Sequence, residues 1–444
     1  MSDKLAPTTT DALARKAREL LPILRRQARR PYIVELAGTP KAGKTTTLHV
    51  LNRFLKDCGY QVHEMRERAS DCPIAMKGHF FFNTWTTTTM LASMIESLES
   101  EADVLLLDRG IFDAIVWLEY QSLDHQVSRE EREVFRNFVL LERWRQLTDL
   151  TFVLTVQPEI ALVRENKDLL IPRTGSIMSP ASLSRYNDVL RSVQKAEGDR
   201  FNFIEIDTTK HQSPQATTLS IVTELVDRMD KWADPEIAVL PKSFVEDMLG
   251  SEGIQPIPSP PAQLESNIQF RKRSTLEESD EFVGLVGAVV LRYNNQMLLL
   301  RRMAERDEKR MTFGRDVLWK GCHIARTSAG ISGLLTTIST AVKARLREDF
   351  HLGRLESEPT PQFLVWNRHD PRDARHLGVF FDLEIPSEEI AKSLASKVFK
   401  RERNRTKLGR NEFITRTDLQ ARVDENDDIE LESWSLQYLK KAEG

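Results

Sequence analysis

Cysteine is nearly absent, with only Cys58, Cys72 and Cys322 in 444 residues, and none stands at the paired spacing of a thiolate metal site. That excludes a disulfide framework and points to a reduced, cytoplasmic setting. No apolar run approaches the length of a membrane-crossing helix, and Met1-Ser2-Asp3-Lys4 lacks the basic-then-apolar start of a secretory signal, so no membrane association is expected. Charge of one sign is missing too: 63 Lys and Arg against 66 Asp and Glu leave a net charge of −3. This balance argues against a chain whose main task is to neutralise nucleic-acid phosphates. What remains is an ordinary globular composition, 40% hydrophobic, long enough for two or three cores and open to a homo-oligomer.

Against that background one segment stands out. Gly38-Thr39-Pro40-Lys41-Ala42-Gly43-Lys44-Thr45 follows the apolar run Tyr32–Ala37 and leads into Thr46-Thr47-Leu48-His49-Val50-Leu51. Strand, glycine loop and helix in this order make a phosphate cradle. Loop amides from Gly38, Lys41, Ala42, Gly43, Lys44, Thr45 and Thr46 would surround the β-phosphate, and the Lys44 ammonium would reach the β and γ oxygens. The Thr45 hydroxyl would sit on Mg²⁺, with the positive end of the helix dipole behind it. ATP and Mg²⁺ are the expected cofactors.

From residue 31 to about 235, the runs Tyr32–Ala37, Gln61–Met65, Val104–Leu107, Thr151–Val156 and Phe203–Ile206 alternate with longer amphipathic stretches. This predicts an α/β fold with a parallel sheet flanked by helices, and ligands at the carboxyl ends of its strands. Residues 1–30 read as an amphipathic N-terminal helix with Leu13, Ala17, Leu20, Leu21 and Leu24 on one face. The first domain is expected over 31–248. A linker over 249–280 carries Pro256, Pro258, Pro260 and Pro261, and a second domain fills 281–444. Within the second domain, Val283–Leu291 and Gln296–Leu300 should pair across an Asn294-Asn295 turn.

The strand ends carry the candidate chemistry. Asp108 and Arg109 follow the third run, where a carboxylate can organise Mg²⁺ and a guanidinium can grip an acceptor. After the second run stand Glu64, Arg66 and Glu67, offering either a general base for a hydroxyl acceptor or cations for a phosphate acceptor. Because arginines dominate this rim, a monophosphate acceptor is slightly favoured. Phe81 and Trp85, near Asn83, could stack on a nucleobase, as could Trp117 and Tyr120. Arg164 and Arg173 would close over the transferring phosphoryl group from a mobile loop.

These residues together resemble the thymidylate kinase and deoxynucleoside kinase group of P-loop kinases. The likeness rests on the cradle, Arg66-Glu67, Asp108-Arg109, Pro158-Glu159 with Ala161-Leu162 and Arg164, and Ile206-Asp207. It covers somewhat under half of the chain. The resemblance implies that Asp108-Arg109 serve Mg²⁺ and the acceptor, that the lid arginines serve the phosphoryl group, and that the loop near Asp207 lies by the donor adenine. Arg68-Ala69-Ser70 stands where thymidylate kinases carry a proline and glycines, which leaves the acceptor open between a nucleoside and a nucleotide.

Residues 281–440 resemble a Nudix domain, an α/β/α sandwich, through Gly287-Ala288-Val289-Val290, Leu299-Leu300-Arg301-Arg302 and Trp319-Lys320-Gly321-Cys322-His323-Ile324. His376–Phe381 and Glu432-Ser433-Trp434-Ser435 match its later strand and final helix. The segment in the place of the family's catalytic helix reads Ala344-Arg345-Leu346-Arg347-Glu348-Asp349-Phe350-His351-Leu352. Arg345 replaces a metal-ligating carboxylate, His351 replaces the glycine, and Thr327 or Thr336 replaces the upstream glutamate. The implied domain is catalytically inactive and binds a ligand or a partner. The basic stretch Phe399–Arg410 reads as a solvated helix.

The expectation is therefore a kinase that passes a phosphoryl group from ATP to a small nucleoside or nucleotide. Two alternatives are a nucleotide-gated sensor and a chain carrying both a kinase and an active Nudix phosphohydrolase.

Overall fold

Five short strands, β1 (Tyr32–Gly38), β2 (Val62–Met65), β3 (Val104–Asp108), β4 (Leu150–Thr155) and β5 (Phe203–Asp207), form a parallel sheet in the order β2-β3-β1-β4-β5. The computed structural model describes all residues except 1–8, 28–29, 77, 99, 124–126, 169–176, 210–213, 251–252, 259–260, 301–314, 327–332, 351–356, 371–372, 397–410, 426–428 and 442–444. Contacts divide the chain into two units, Met1–Ala233 and Asp234–Gly444.

Nine helices accompany the first sheet among the described residues: α1 (Thr9–Gln27), α2 (Lys44–Asp57), α3 (Phe80–Ser97), α4 (Ile111–Ser122), α5 (Arg129–Val139), α6 (Glu142–Arg145), α7 (Pro158–Asp168), α8 (Pro180–Glu197) and α9 (Pro214–Ala233). Strand periodicity divides them into two layers. Tyr32, Val34 and Leu36 of β1 join a core with α1, α2 and α9, whereas Ile33 and Ala37 join one with α3, α4 and α8. Because β1, β3 and β4 are buried on both faces, they read as continuous apolar runs rather than alternating ones. The strand β1 has β3 on one side and β4 on the other, so the loop after it opens at the topological switch point where ligands bind in such sheets. The amphipathic α1 belongs to this unit, and its Arg25 makes a two-pronged bond to Asp103 at 2.9 and 2.8 Å.

Among the described residues, the second unit is built on a nine-stranded mixed sheet. Its strands are β6 (Glu236–Pro241), β7 (Ile254–Pro256), β8 (Gln269–Lys272), β9 (Phe282–Tyr293), β10 (Gln296–Leu299), β11 (Trp319–His323), β12 (Thr360–Val365), β13 (His376–Glu384) and β14 (Glu412–Thr415). The long β9 is its spine, pairing parallel with β13 and antiparallel with β6, β10 and β11. Asn294 and Asn295 turn β9 into β10 with φ of 48° and 62°, the left-handed pair that a two-residue hairpin needs. The helix Leu334–Phe350 packs on the sheet through Ile338, Val342 and Leu346.

The division after Ala233 differs from the expected boundary at 249. Glu236–Pro241 pairs with β9, and Ile254–Pro256 pairs with β12, so both lie within the second sheet. Pro256 sits on the edge strand β7, where a missing backbone donor costs little; the prolines that suggest a spacer therefore do not interrupt the sheet there. No helix among the described residues is long and apolar enough to cross a membrane.

Candidate functional site

The glycine loop Gly38–Thr45 between β1 and α2 takes its shape from three left-handed residues. Gly38, Lys41 and Gly43 have φ of 117°, 60° and 95°. A Cβ at Gly38 would lie 2.0 Å from the Leu154 carbonyl oxygen, so only glycine lets the loop lie this close to β4. Gly43 caps α2 without a side-chain bond, leaving first-turn amides whose intrahelical partners do not exist available to an anion. The Lys44 ammonium is folded back onto the loop, donating to the carbonyls of Gly38 and Thr39 at 2.9 Å each. Burial, with the Arg109 charge nearby, lowers its pKa to about 8.

Asp108 ends β3 against the first turn of α2, where its Oδ2 accepts the Thr45 hydroxyl at 2.6 Å. Its other oxygen, Oδ1, is buried without a hydrogen-bond partner, and burial raises the carboxyl's pKa. An unmatched carboxylate oxygen beside a hydroxyl at the mouth of this glycine loop is a fitting hard-oxygen donor set for Mg²⁺. These two residues would hold the ion.

Arg109 follows with φ of 71°, an uncommon conformation for a side-chain-bearing residue. Its guanidinium lies 2.7 Å from Glu67 and 2.8 Å from Asp113, and 5.7 Å over the Trp117 ring. Burial alone would lower its pKa, but Asp113 and Glu67 reverse the balance and raise it well above the ordinary value. Asp113 also faces the loop, accepting from Gly38 N and from the Tyr186 hydroxyl at 3.4 Å each.

A pocket of about 260 Å³ opens beside this cluster. Glu67, Asp108, Arg109 and Asp113 form its charged end, while Asn83, Trp117 and Gln121 are among the residues lining the remainder. One charged end and a mixed polar and aromatic body suit a small polar ring compound.

Several expected acceptor residues do not line this pocket. Phe81 is 61% exposed and Trp85 shares its stripe one turn on, whereas Phe82, Asn83, Thr86, Thr87 and Met90 face inward. The phase of α3 decides this. The Arg66 side chain is 86% exposed, 3.8 Å from Glu64, and Glu64 turns back to α2, where Asn52 donates to it at 2.6 Å. Arg68 takes the wall position instead and bonds Ser93 at 2.6 Å.

Arg164 reaches the loop from another side. Its guanidinium donates to the Lys41 carbonyl at 3.1 Å and to the Thr208 hydroxyl and carbonyl at 3.0 and 2.9 Å. It thus fastens the glycine loop to the segment after β5, where Asp207 accepts from Thr209 N at 3.0 Å. Lys41 pairs with Glu165 at 2.7 Å. Arg173 lies outside the described residues.

In the second unit, the carboxylates of helix Leu334–Phe350 are occupied by cations. Asp349 lies 2.9 Å from Lys320 and 3.0 Å from Arg345, which also pairs with Glu348 at 3.1 Å. No three carboxylate, imidazole or thiol side chains gather as metal ligands among the described residues. Arg301, Arg302, Thr327, His351, Leu352 and the basic stretch 399–410 lie outside those residues.

No protein-family model matches the chain, and no curated protein matches it. Among solved structures, deoxyadenosine kinase from M. mycoides with bound dCTP is similar at 18% identity and a TM-score of 0.33, over 44% of this chain and 99% of that one. The same enzyme with bound dATP gives 16% identity and a TM-score of 0.34, over 44% and 98%. Tm1382, described as a presumed Nudix hydrolase, gives 14% identity and a TM-score of 0.33, over 47% and 96%. Likenesses this slight leave the function to be argued from the site's own geometry.

Proposed function

We propose that the first unit is an ATP- and Mg²⁺-dependent kinase acting on a hydroxyl group of a nucleoside-like small molecule. The observation that carries this reading is the Glu67–Arg109 pair on the wall of the acceptor pocket, beside the Thr45–Asp108 contact at the phosphate loop. A phosphate acceptor is already anionic and needs cations; a hydroxyl acceptor needs a base. Glu67 lines the pocket, Arg66 faces solvent, and the two arginines on the wall are engaged by protein groups, Arg68 by Ser93 and Arg109 by Glu67 and Asp113, which moves the preference from a monophosphate to a hydroxyl.

In the proposed reaction, Lys44 exchanges its two loop carbonyls for the donor's β and γ oxygens. Bound Mg²⁺ supplies neutralising charge on the triphosphate, held by Thr45 and Asp108. The acceptor oxygen forms a bond to the γ-phosphorus, the bond from that phosphorus to the β–γ bridging oxygen breaks, and Glu67 takes the hydroxyl proton. Arg109 orients Glu67 and steadies the charge developing on the transferring group. Asn83 and Gln121 would read the acceptor's edge, and Trp117 would stack on its ring.

The second unit, in this reading, is a Nudix-like domain without hydrolase activity. Lys320 and Arg345 already neutralise Asp349, so its carboxylate is satisfied by protein cations. A ligand-binding or stabilising role follows.

The test is to incubate the full chain with labelled ATP, Mg²⁺ and panels of nucleosides and nucleoside monophosphates. Label should pass to a nucleoside and be lost in Lys44→Ala. Binding of ATP without transfer to any acceptor would overturn the kinase reading.

A further inference from the structure

Glu35 has an unusual position for a carboxylate. It is the middle residue of the central strand β1, wholly buried, and the residues on either side of it, Ile33, Val34, Leu36 and Ala37, are apolar and buried as well. Such burial is costly unless strong partners compensate it. The partners here are three backbone amides: Gly110 N and Asp113 N donate to its Oε1 at 2.8 and 2.9 Å, and Phe112 N donates to its Oε2 at 3.2 Å. These amides open α4, where the helix has no internal acceptors for them and its dipole favours a negative group.

We propose that Glu35 is a positioning residue of the phosphotransfer site, holding the Asp108–Arg109–Gly110 turn so that the Asp108 carboxylate and the Arg109 guanidinium stay aligned with the phosphate loop. The inference rests on the kinase reading for its catalytic consequence and on geometry for the rest. Arg109 sits in the left-handed region, which costs energy for a residue with a Cβ and persists only when its surroundings hold it. Both sides of that residue are tied to consecutive residues of β1. Its own amide donates to the Leu36 carbonyl at 3.0 Å, and the next amide, that of Gly110, donates to Glu35.

The fit leaves no slack at Gly110. A Cβ there would lie 2.7 Å from the Glu35 carboxyl carbon and 2.8 Å from its Oε2. Burial pushes the Glu35 carboxyl up to about 7 even though three amides favour its anion, with Asp113 adding to the rise. A group kept at that cost in the middle of a strand is accounted for by the turn it secures.

The experiment compares Glu35→Ala, Glu35→Gln and Gly110→Ala with wild type in the full chain, by thermal melting, by ATP binding in EDTA and in Mg²⁺, and by steady-state kinetics. In Glu35→Ala, ATP affinity in EDTA should stay near that of wild type, because the loop and Lys44 are intact. The gain in affinity conferred by Mg²⁺ should fall by about tenfold or more, and kcat by about 10–100-fold, with a smaller change in KM for ATP. Glu35→Gln should recover most of both, since its amide oxygen can still accept from Gly110 and Asp113. Should Glu35→Ala fail to fold, Gly110→Ala presses on the same contact from the other side and should show the same selective loss. A folded Glu35→Ala or Gly110→Ala variant that keeps its Mg²⁺ linkage and kcat would overturn the proposal. So would loss of ATP binding in EDTA to the same degree as in Mg²⁺. Absence of transfer by the wild type would overturn the kinase reading alone, because Mg²⁺-linked binding still tests Glu35.

Discussion

The Glu67 carboxylate lies 2.7 Å from Nε of Arg109, and both line the pocket that Asp108 closes at its charged end. The pairing holds the Glu67 carboxylate at the pocket wall, where it suits a base for a bound hydroxyl. Glu67→Gln should keep the side chain's shape and lower kcat by about 10²–10⁴-fold, with ATP affinity unchanged. Arg66→Ala, altering a solvent-facing side chain, should leave both as they are. Steady-state kinetics on the acceptor found by the transfer assay checks the contrast. Equal loss in the two variants would restore the monophosphate reading.

Lys44 gives the site a pH dependence of definite sign. With no phosphate bound its pKa is about 8, lowered chiefly by burial, and phosphate contact must raise it. Binding therefore takes up a proton once the free lysine has lost its own. ATP affinity should be level below about pH 7 and weaken as pH rises through 8 and beyond, by up to about tenfold per pH unit. Calorimetry above pH 8, in two buffers of different ionisation enthalpy, would report the proton. Lys44→Arg should abolish the slope over this range, because guanidinium stays charged.

The parallel sheet was legible because β1, β3 and β4 are continuous apolar runs, a pattern that strands buried on both faces impose. The tight turn from β1 into α2 was legible from glycine spacing, since its three left-handed positions are local features. The lining of the pocket was not. Whether Phe81 or Phe82 faces the pocket depends on the phase of α3, and the even scatter of aromatic and threonine residues along that helix hides it. Glu35 was hidden for another reason: within β1 it reads as a lone charge, and the amides that explain it lie more than seventy residues away. The proline cluster misplaced the unit boundary because an edge strand tolerates proline and a spacer also favours it.

Asp373 predicts how stability varies with pH. It is buried, accepts from Asn367 and from the Ser433 hydroxyl, and burial together with Glu432 and Asp370 pushes its pKa to about 8. Its folded pKa lies above the unfolded value of about 4. The folded state thus binds a proton that the unfolded state releases, and this contribution is fully present below about pH 4 and lost as pH rises towards 8. Asp373→Asn should keep the two bonds and flatten that part of the profile. Melting temperatures from pH 5 to 9 would show it. An equal slope in the variant would mean that Asp373 is already ionised in the folded chain.

The cationic clasp on helix Leu334–Phe350 makes the last prediction. Asp349 is buried between Lys320 and Arg345, and Arg345→Met would remove one cation while keeping most of the aliphatic packing. The carboxylate would then keep Lys320 but lose the guanidinium, and the chain should lose about 1–3 kcal/mol, read as a lower urea midpoint for the second unit. Because Lys320 and Arg345 balance this carboxylate, adding Mg²⁺ should not restore the lost stability in the variant. The same balance predicts that wild type does not hydrolyse nucleoside-diphosphate-linked compounds in Mg²⁺. Hydrolysis that disappeared in Glu348→Gln would instead show that the exposed Glu348, only lightly held by Arg345 at 3.1 Å, swings free to take a metal.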